Sequence, residues 1–414
     1  MYEPADPLSA ANAPAAVRGP ADVAGRAVGA AIVGILFMGS TLLTPLYDLY
    51  RTTYGFSAVV LVLLYAVYVL GNLTALLVFG RLSDQVGRRA VALIGLGLAA
   101  VSTGLFFAAD SPALLFAARV ASGCAVGMGA GAATAWIAEF TPQSRRAQAA
   151  ILVTAANFAG LAAGPLLAGG LAQYGPAPLR LSFLVYFALL AALAAAVCAA
   201  RETVAGAGWS GLDLKPRLGV PAEIRLRFVA PALTLFATMA LVGFYAALGP
   251  SMIREALHLT NRALSGAAVA ELFVVAALAI LASRRLAARR AMLAGLGLVP
   301  VGLALLVAAQ RLGSMPVLLL ATTVCGVAAA LGYRGSLQVV NELAPADRKA
   351  EVVSTYFLCG FMGNALPVIG VGVLSQAAGA RMADMTFAGV VSAIAVLALV
   401  AGAAAKPGSR PARS

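Results

Sequence analysis

Charge and histidine are what this sequence has least of. Only 11% of its 414 residues are charged and the single histidine, His258, falls in an outer link between apolar runs, so a histidine metal cluster lacks its ligands and a Ser-His-Asp triad is not expected. The four cysteines, Cys124, Cys198, Cys325 and Cys359, stand singly inside apolar runs. That spacing fits no metal site and no disulfide framework, and leaves them as small packing residues. Glycine-rich pieces such as Gly95 to Gly97 also lie within apolar runs, and nothing reads as a phosphate-cradling loop. Enzyme chemistry, a cofactor and ATP hydrolysis are therefore not expected. The formal net charge of +13 is spread over the links between apolar runs instead of being gathered in a patch, which argues against nucleic acid. Residues up to Ala24 are rich in Ala and Pro and lack the short apolar core and small-residue cleavage site of a secretory signal.

What is present is apolar residue in quantity: 62% of the chain is hydrophobic and its mean hydropathy is +0.93. Those values place it among polytopic membrane proteins. At roughly 20 residues per bilayer crossing, there is room for a dozen helices, and twelve apolar runs can be drawn. The first six are Ala27 to Leu46, Phe56 to Phe79, Ala90 to Ala109, Pro112 to Ala138, Ala147 to Ala172 and Leu181 to Ala200. The second six are Phe228 to Leu248, Leu264 to Ala282, Ala291 to Ala309, Met315 to Val340, Val352 to Leu374 and Met385 to Ala405. Between Arg201 and Arg227 the apolar pattern lapses. The expected organisation is a tail over 1–26, a six-helix bundle over 27–200, a linker over 201–227, a second bundle over 228–405 and a tail over 406–414.

Placing successive links on alternate sides of a bilayer gives one side only Arg51, Arg180, Arg254, Arg262, Arg311 and Arg381. With Arg119 and Arg334 inside spans, 21 of the 29 Lys and Arg fall on the side of the amino terminus. The positive-inside rule makes that side, with both termini, cytoplasmic. The Ala, Gly and Arg bias suggests a bacterium, hence its inner membrane.

A duplication is visible. Residues 139 to 147 read E-F-T-P-Q-S-R-R-A, and 342 to 350 read E-L-A-P-A-D-R-K-A. Both copies follow the fourth run of their half, which points to a repeated six-helix unit with the halves parallel about an axis along the membrane normal.

The link between the second and third runs, Gly80 to Arg89, reads G-R-L-S-D-Q-V-G-R-R. Gly80 and Gly87 supply backbone freedom for a tight reversal, and Asp84 is an acid fixed beside Arg88 and Arg89. By these residues the turn resembles the signature loop of the major facilitator superfamily, G-x-x-x-D-[RK]-x-G-[RK]-[RK], with Gln85 standing where the family has a base. A second copy at Leu281 to Arg290, L-A-S-R-R-L-A-A-R-R, keeps Arg289 and Arg290 but has Arg285 in the place of the acid. The fifth run carries Gly160, Gly164, Pro165 and Gly169 and resembles the G-x-x-x-G-P motif that marks exporters in this superfamily. Ala168 replaces one glycine there, and Gly363, Pro367 and Gly370 repeat the run loosely in the eleventh. The resemblance covers nearly the whole chain. It implies an all-α fold of twelve helices in two six-helix pseudo-repeats, alternating access, and kinship with proton-coupled drug exporters. Asp84, Arg88 and Glu139 would then form a latch closing the cytoplasmic side when the outer side is open.

Ionisable groups inside spans cost several kcal/mol and are functional candidates by default. Arg119, followed by Gly123, Gly127 and Gly131, resembles the family's fourth-helix arginine, which is associated with proton transfer. Equally, it can snorkel outward or bond backbone carbonyls. Glu271 lies about 10 Å inward of its helix end, where a desolvated carboxyl can load and release a proton near neutrality; a structural pairing is the other reading. Asp48, past Pro45 at the outer mouth, is the acid that the first helix offers. Arg334 can pair Glu271, receive an anionic substrate group, or serve structure alone. Phe37, Tyr47, Tyr65, Tyr68, Phe158, Phe244, Tyr245 and Tyr333, with Asn157, could line a cavity, Tyr65, Tyr68 and Tyr245 foremost, or act as packing residues.

The functional expectation is a monomeric secondary transporter whose partners are a small-molecule substrate, protons and the lipid bilayer, working as a proton-coupled antiporter for efflux of amphipathic compounds. The alternatives are an importer of a small metabolite or organic anion by proton symport, with Arg119 and Arg334 as attractors, and a sensor or scaffold that transports nothing.

Overall fold

The computed structural model describes residues 20–204 and 218–404; residues 1–19, 205–217 and 405–414, which hold most of the expected tails and linker, lie outside the described residues. A bilayer offers no hydrogen-bond partner to a bare peptide group, so an apolar chain inside it must coil into helices. Accordingly the first half comprises α1 (Pro20–Thr41), α2 (Tyr47–Tyr54), α3 (Ala58–Phe79), α4 (Leu82–Val86), α5 (Arg88–Phe107), α6 (Pro112–Glu139), α7 (Arg146–Tyr174) and α8 (Leu181–Ala199). The second comprises α9 (Arg225–Leu257), α10 (Arg262–Ala282), α11 (Ala288–Leu312), α12 (Met315–Leu343), α13 (Lys349–Ala378) and α14 (Ala380–Ala404). Among the described residues, 12 helical stretches are long and apolar enough to cross a membrane, one for each run drawn from the sequence.

Polar residues at the run ends set the helix limits. Ser57 accepts the amide of Val60 at the start of α3, and Asn261 accepts that of Leu264 at the start of α10, each supplying one of the bonds that a first turn lacks. Gly55 (φ 66) and Gly313 (φ 58) close α2 and α11 in the left-handed region, where glycine carries no Cβ penalty. Several boundaries differ from expectation, and α9 runs on to Leu257 although the seventh run drawn from the sequence ends at Leu248. The first run is not one helix: α1 stops at Thr41, Thr44–Leu46 forms a single 3-10 turn around Pro45, and the chain resumes as α2, because proline cannot donate to the preceding turn. The last run begins earlier, at Ala380, which brings Asp384 inside a span.

The packing repeats as the sequence does. In the first half α6 lies against α1, α3 and α5, α1 against α7, and α8 against α5, α1 and α7. In the second, α12 lies against α9, α10 and α11, α9 against α13, and α14 against α11, α9 and α13. Replacing α1, α3, α5, α6, α7 and α8 by α9, α10, α11, α12, α13 and α14 turns one set into the other. Even the closest approaches recur: a Cβ on Gly95 would lie 2.6 Å from the Cα of Gly129, and one on Gly295 would lie 2.8 Å from that of Gly332. Glycine lets α5 meet α6, and α11 meet α12, backbone to backbone.

The halves touch through α7 with α10 and α3 with α13, pairs that exchange under the same replacement. Several polar ties join them on the face opposite the Gly80–Arg89 turn, called the far face below. Asp48 Oδ1 accepts from Ser251 Oγ at 2.9 Å and Arg254 Nη2 at 3.0 Å. Arg51 reaches Glu255 at 3.4 Å, Thr44 Oγ1 donates to the Ala246 carbonyl at 2.9 Å, and the Arg262 amide donates to Gln173 at 2.9 Å. Deeper in, the Tyr65 hydroxyl donates to Asn364 Oδ1 at 2.6 Å.

Candidate functional site

Between the halves lies a cavity of about 250 Å³. Its wall takes Phe37 and Ser40 from α1, Tyr65, Tyr68 and Asn72 from α3, and Asn157 and Phe158 from α7. From the second half come Met239, Phe273, Tyr333, Phe357, Phe361 and Asn364. Among the described lining residues none carries a charge. The arrangement is an apolar, aromatic hollow with a few fixed amide and hydroxyl groups, the usual composition of a small-molecule site. Tyr65, Tyr68 and Asn72 share one face of α3 at helical spacing, and so do Phe357, Phe361 and Asn364 on α13.

Of the residues expected here, Tyr65, Tyr68 and Asn157 are on the wall, with Phe37, Phe158 and Tyr333. Tyr245 and Arg334 are not. Tyr245 is buried behind the wall, where its hydroxyl accepts a hydrogen bond from Thr322 at 3.2 Å. Arg334 donates to the Leu286 carbonyl at 2.5 Å, in the link between α10 and α11. Glu271 turns toward α12: its Oε1 accepts from Thr323 Oγ1 at 2.7 Å, and Oε2 is enclosed without a hydrogen-bond partner. The expected Glu271–Arg334 pairing is therefore not made in this conformation. Each of these three adjoins a residue that does line the cavity: Ala246, Tyr333 and Leu272. One residue along a helix is a rotation of about 100°, enough to move a side chain from the hollow to the helix interface behind it.

Arg119 is fully buried within the first half. Its Nη1 donates to the Ser40 carbonyl at 3.0 Å, its Nη2 donates to the Tyr47 hydroxyl, and its guanidinium sits 4.9 Å from the ring centre of Tyr68. Tyr68 thus stands between this cation and the cavity, stacked on the guanidinium by its electron-rich face. Asp48 belongs to the far-face ties described above. Asp384, one residue outside the apolar run Met385 to Ala405, accepts from Gln310 Nε2 at 2.9 Å, away from the cavity wall.

At the opposite face, Arg88 is the hub of a polar cluster. Its Nε and Nη2 donate to Glu139 Oε1 at 3.0 and 2.7 Å, its Nη1 to Ser83 at 2.7 Å, and Nη2 meets Asp84 Oδ1 at 2.5 Å. Thr203 donates to the other oxygen of Glu139. Glu202, which sequence reasoning missed, accepts the Arg88 and Arg89 backbone amides at 3.0 and 2.8 Å, so a carboxylate from beyond α8 caps the positive end of α5. Gly87 has φ 119 and needs to be glycine. Gly80 is right-handed, with φ −57; what it provides is space, since a Cβ there would strike the Leu76 carbonyl. Among the described residues, the bonds of Arg88, Asp84, Glu139 and Glu202 all fall before Val204, so these bonds staple the first half. In the damaged second copy, Arg289 donates to the carbonyls of Gly402 and Ala403 at the end of α14.

The α7 glycines divide between two partners. Gly160 and Gly164 lie against Gly34 and Met38 of α1, whereas Gly169 and the Pro165 carbonyl lie against Arg262 and Gly266 of α10.

A family model described as Major Facilitator Superfamily matches residues 29–284. The chain belongs to that superfamily. Its members are transporters, and the twelve spans make this a multi-pass membrane protein. Solved structures agree on the fold. A bacterial homolog of the human lysosomal transporter Spinster, inward-facing and unoccupied, superposes with a TM-score of 0.74 at 16% identity, covering 93% of this chain and 97% of that one. A variant of the nucleoside transporter NupG gives 0.72 at 14% identity over 91% and 99% of the two chains. The human organic anion transporter MFSD10 (TETRAN) gives 0.65 at 20% over 93% and 100%. In sequence, the quinolone resistance protein NorA of Staphylococcus aureus is 28% identical over 139 residues, 34% of this chain and 36% of that protein. The match thus spans about a third of the length of this curated relative.

Proposed function

We propose that this superfamily member exports amphipathic small molecules from a bacterial cytoplasm in exchange for protons, by alternating access of the central cavity. It does so as a monomer in the inner membrane, with the Gly80–Arg89 turn and both termini on the cytoplasmic side. The observation that carries the reading is the uncharged, aromatic cavity between two like halves. Such a wall rewards burial of apolar surface and stacks on flat or cationic solutes, and offers no fixed charge to an anionic metabolite. The partial likeness to NorA and the Gly160–Gly169 run support the same direction. With the far face tied shut, the conformation corresponds to the inward-facing one named for the Spinster homolog.

Proton coupling is assigned to Glu271. Its Oε2, enclosed and without a partner, is the oxygen free to take a proton, and its Oε1 is held by Thr323 one helix layer behind the cavity. Arg119, held by Ser40 and Tyr47, sets the position of Tyr68. The Asp84, Arg88 and Glu139 cluster, expected to latch the cytoplasmic side in the outward-open state, is already formed with the far face shut, and here it stiffens the first half so that it moves as one body. Everted vesicles with an acidic interior provide the test. Addition of ethidium dissipates the pH gradient, and Glu271→Gln abolishes that signal while ethidium still binds. A gradient untouched by ethidium in the unaltered protein refutes the exporter reading, and a normal signal in Glu271→Gln removes the residue from the proton path.

A further inference from the structure

Of the hydrogen bonds that tie the halves together, the one between Tyr65 and Asn364 has an unusual position. It alone among those described has both partners on the cavity wall. Thr44, Asp48 and Ser251 are not part of that wall, and neither are Arg254, Arg262 and Gln173. Both partners are almost withdrawn from solvent, Tyr65 at 5% and Asn364 at 9% exposure. On one side of the bond is the hollow. On the other, α3 and α13 close tightly, with Gly372 against Val62.

The chemistry of such a place is specific. To open the far face, α3 must leave α13, so the Tyr65–Asn364 bond must break. In apolar surroundings two polar groups parted without replacements cost far more than the bond itself contributes. Something in the cavity has to take over the Asn364 carbonyl, which only accepts, and the Tyr65 hydroxyl, which both donates and accepts. A purely apolar occupant fills the hollow, expels water and leaves the bond as the best option for both groups. An occupant carrying an N–H or O–H beside its apolar body can donate to Asn364 Oδ1 in place of Tyr65.

We propose that Tyr65 and Asn364 form a clasp that selects cavity ligands by hydrogen-bond donation. A donor reaching Asn364 Oδ1 displaces the Tyr65 hydroxyl and frees the far-face seam. This inference rests on the cavity being the substrate site. It specifies the substrate class as flat or bulky apolar compounds with at least one hydrogen-bond donor, and it makes donor-free compounds of similar size occupants that bind without opening the far face.

The experiment reads the far-face separation of the halves in the full-length protein. Spin labels are attached at Thr52→Cys and Thr260→Cys, one exposed residue on each half, with Cys124, Cys198 and Cys359 changed to serine. Two probes are compared: ethidium, which carries aromatic amines, and tetraphenylphosphonium, an apolar cation with no donor. The expected result is that ethidium populates a longer distance and tetraphenylphosphonium, though bound, does not. Without any probe, Tyr65→Phe raises the ratio of open to closed forms about fivefold, the worth of one neutral hydrogen bond. Asn364→Leu does the same, the double variant adds nothing further, and discrimination between the probes is lost in all three. A distance that Tyr65→Phe leaves unchanged, or additive effects of the two substitutions, overturns the clasp. So does equal opening by both probes, or binding of both with no opening. Binding of neither probe to the unaltered protein refutes the exporter reading and takes this inference with it, an outcome distinct from binding without selection.

Discussion

Replacing Arg88 provides a graded test of the polar cluster on the basic face. Its side chain is 9% exposed, whereas its partners Asp84 and Glu139 are 54% and 31% exposed. Taking one member from a buried ion pair costs about 3–5 kcal/mol, and an exposed pair contributes about 0.2–1 kcal/mol. Because both carboxylates here retain contact with water, Arg88→Ala is expected to cost about 2–3 kcal/mol, between those limits. Arg88→Lys keeps the charge but loses the fork that reaches Glu139, Ser83 and Asp84 together, and should cost about 1–2 kcal/mol. Asp84→Asn, at the most exposed partner, should cost about 0.5 kcal/mol or less. The assay is denaturant unfolding of the purified protein in detergent, with a double-mutant cycle between Arg88→Ala and Glu139→Gln. A coupling energy of about 1 kcal/mol or more is expected for that half-buried contact. Refutation would be an Asp84→Asn variant as damaged as Arg88→Ala, or a lysine variant indistinguishable from the parent. Either result would mean that the cluster is surface decoration.

Two further outcomes follow from the packing. A Cβ on Gly266 would sit 3.1 Å from the Pro165 carbonyl carbon and nearer still to its oxygen, so Gly266→Ala should wedge α10 from α7. A cysteine at Ser265, 6% exposed in the parent, should then react faster with an impermeant maleimide in intact cells; an unchanged rate would show that the seam yields without opening. Arg334→Ala and Tyr245→Phe touch no cavity surface and should leave ethidium affinity within about twofold, the scale of substitutions remote from a site, while Asn157→Ala and Tyr68→Ala weaken it; affinity lost with Arg334 would put that guanidinium in the substrate path.

The span count was legible because a membrane forces long apolar runs, and the duplication because two nine-residue links retain their Glu, Pro and basic residues. The facing of side chains was not. A soluble helix advertises its buried face by placing polar residues opposite, but α9, α10 and α12 are apolar all round, lipid and protein being equally greasy. Hence Tyr245, Glu271 and Arg334 stand out in the sequence while their neighbours Ala246, Leu272 and Tyr333 line the hollow. On α3 the polar marks Tyr65, Tyr68 and Asn72 did share a face, and there sequence reasoning reached two of the three. Asn364 and Glu202 required the structure, since their partners lie 299 residues and 113 to 114 residues away.

That last separation bears on synthesis. Among the described residues, the first two amides of α5 bond to Glu202, a residue translated after the three spans that follow α5. Until then only water at the membrane face can serve the two amides at the start of the third span. Arrival of Glu202 supplies that cap, so the start of α5 reaches its final hydrogen bonding only when all six spans of the amino-terminal half have been made.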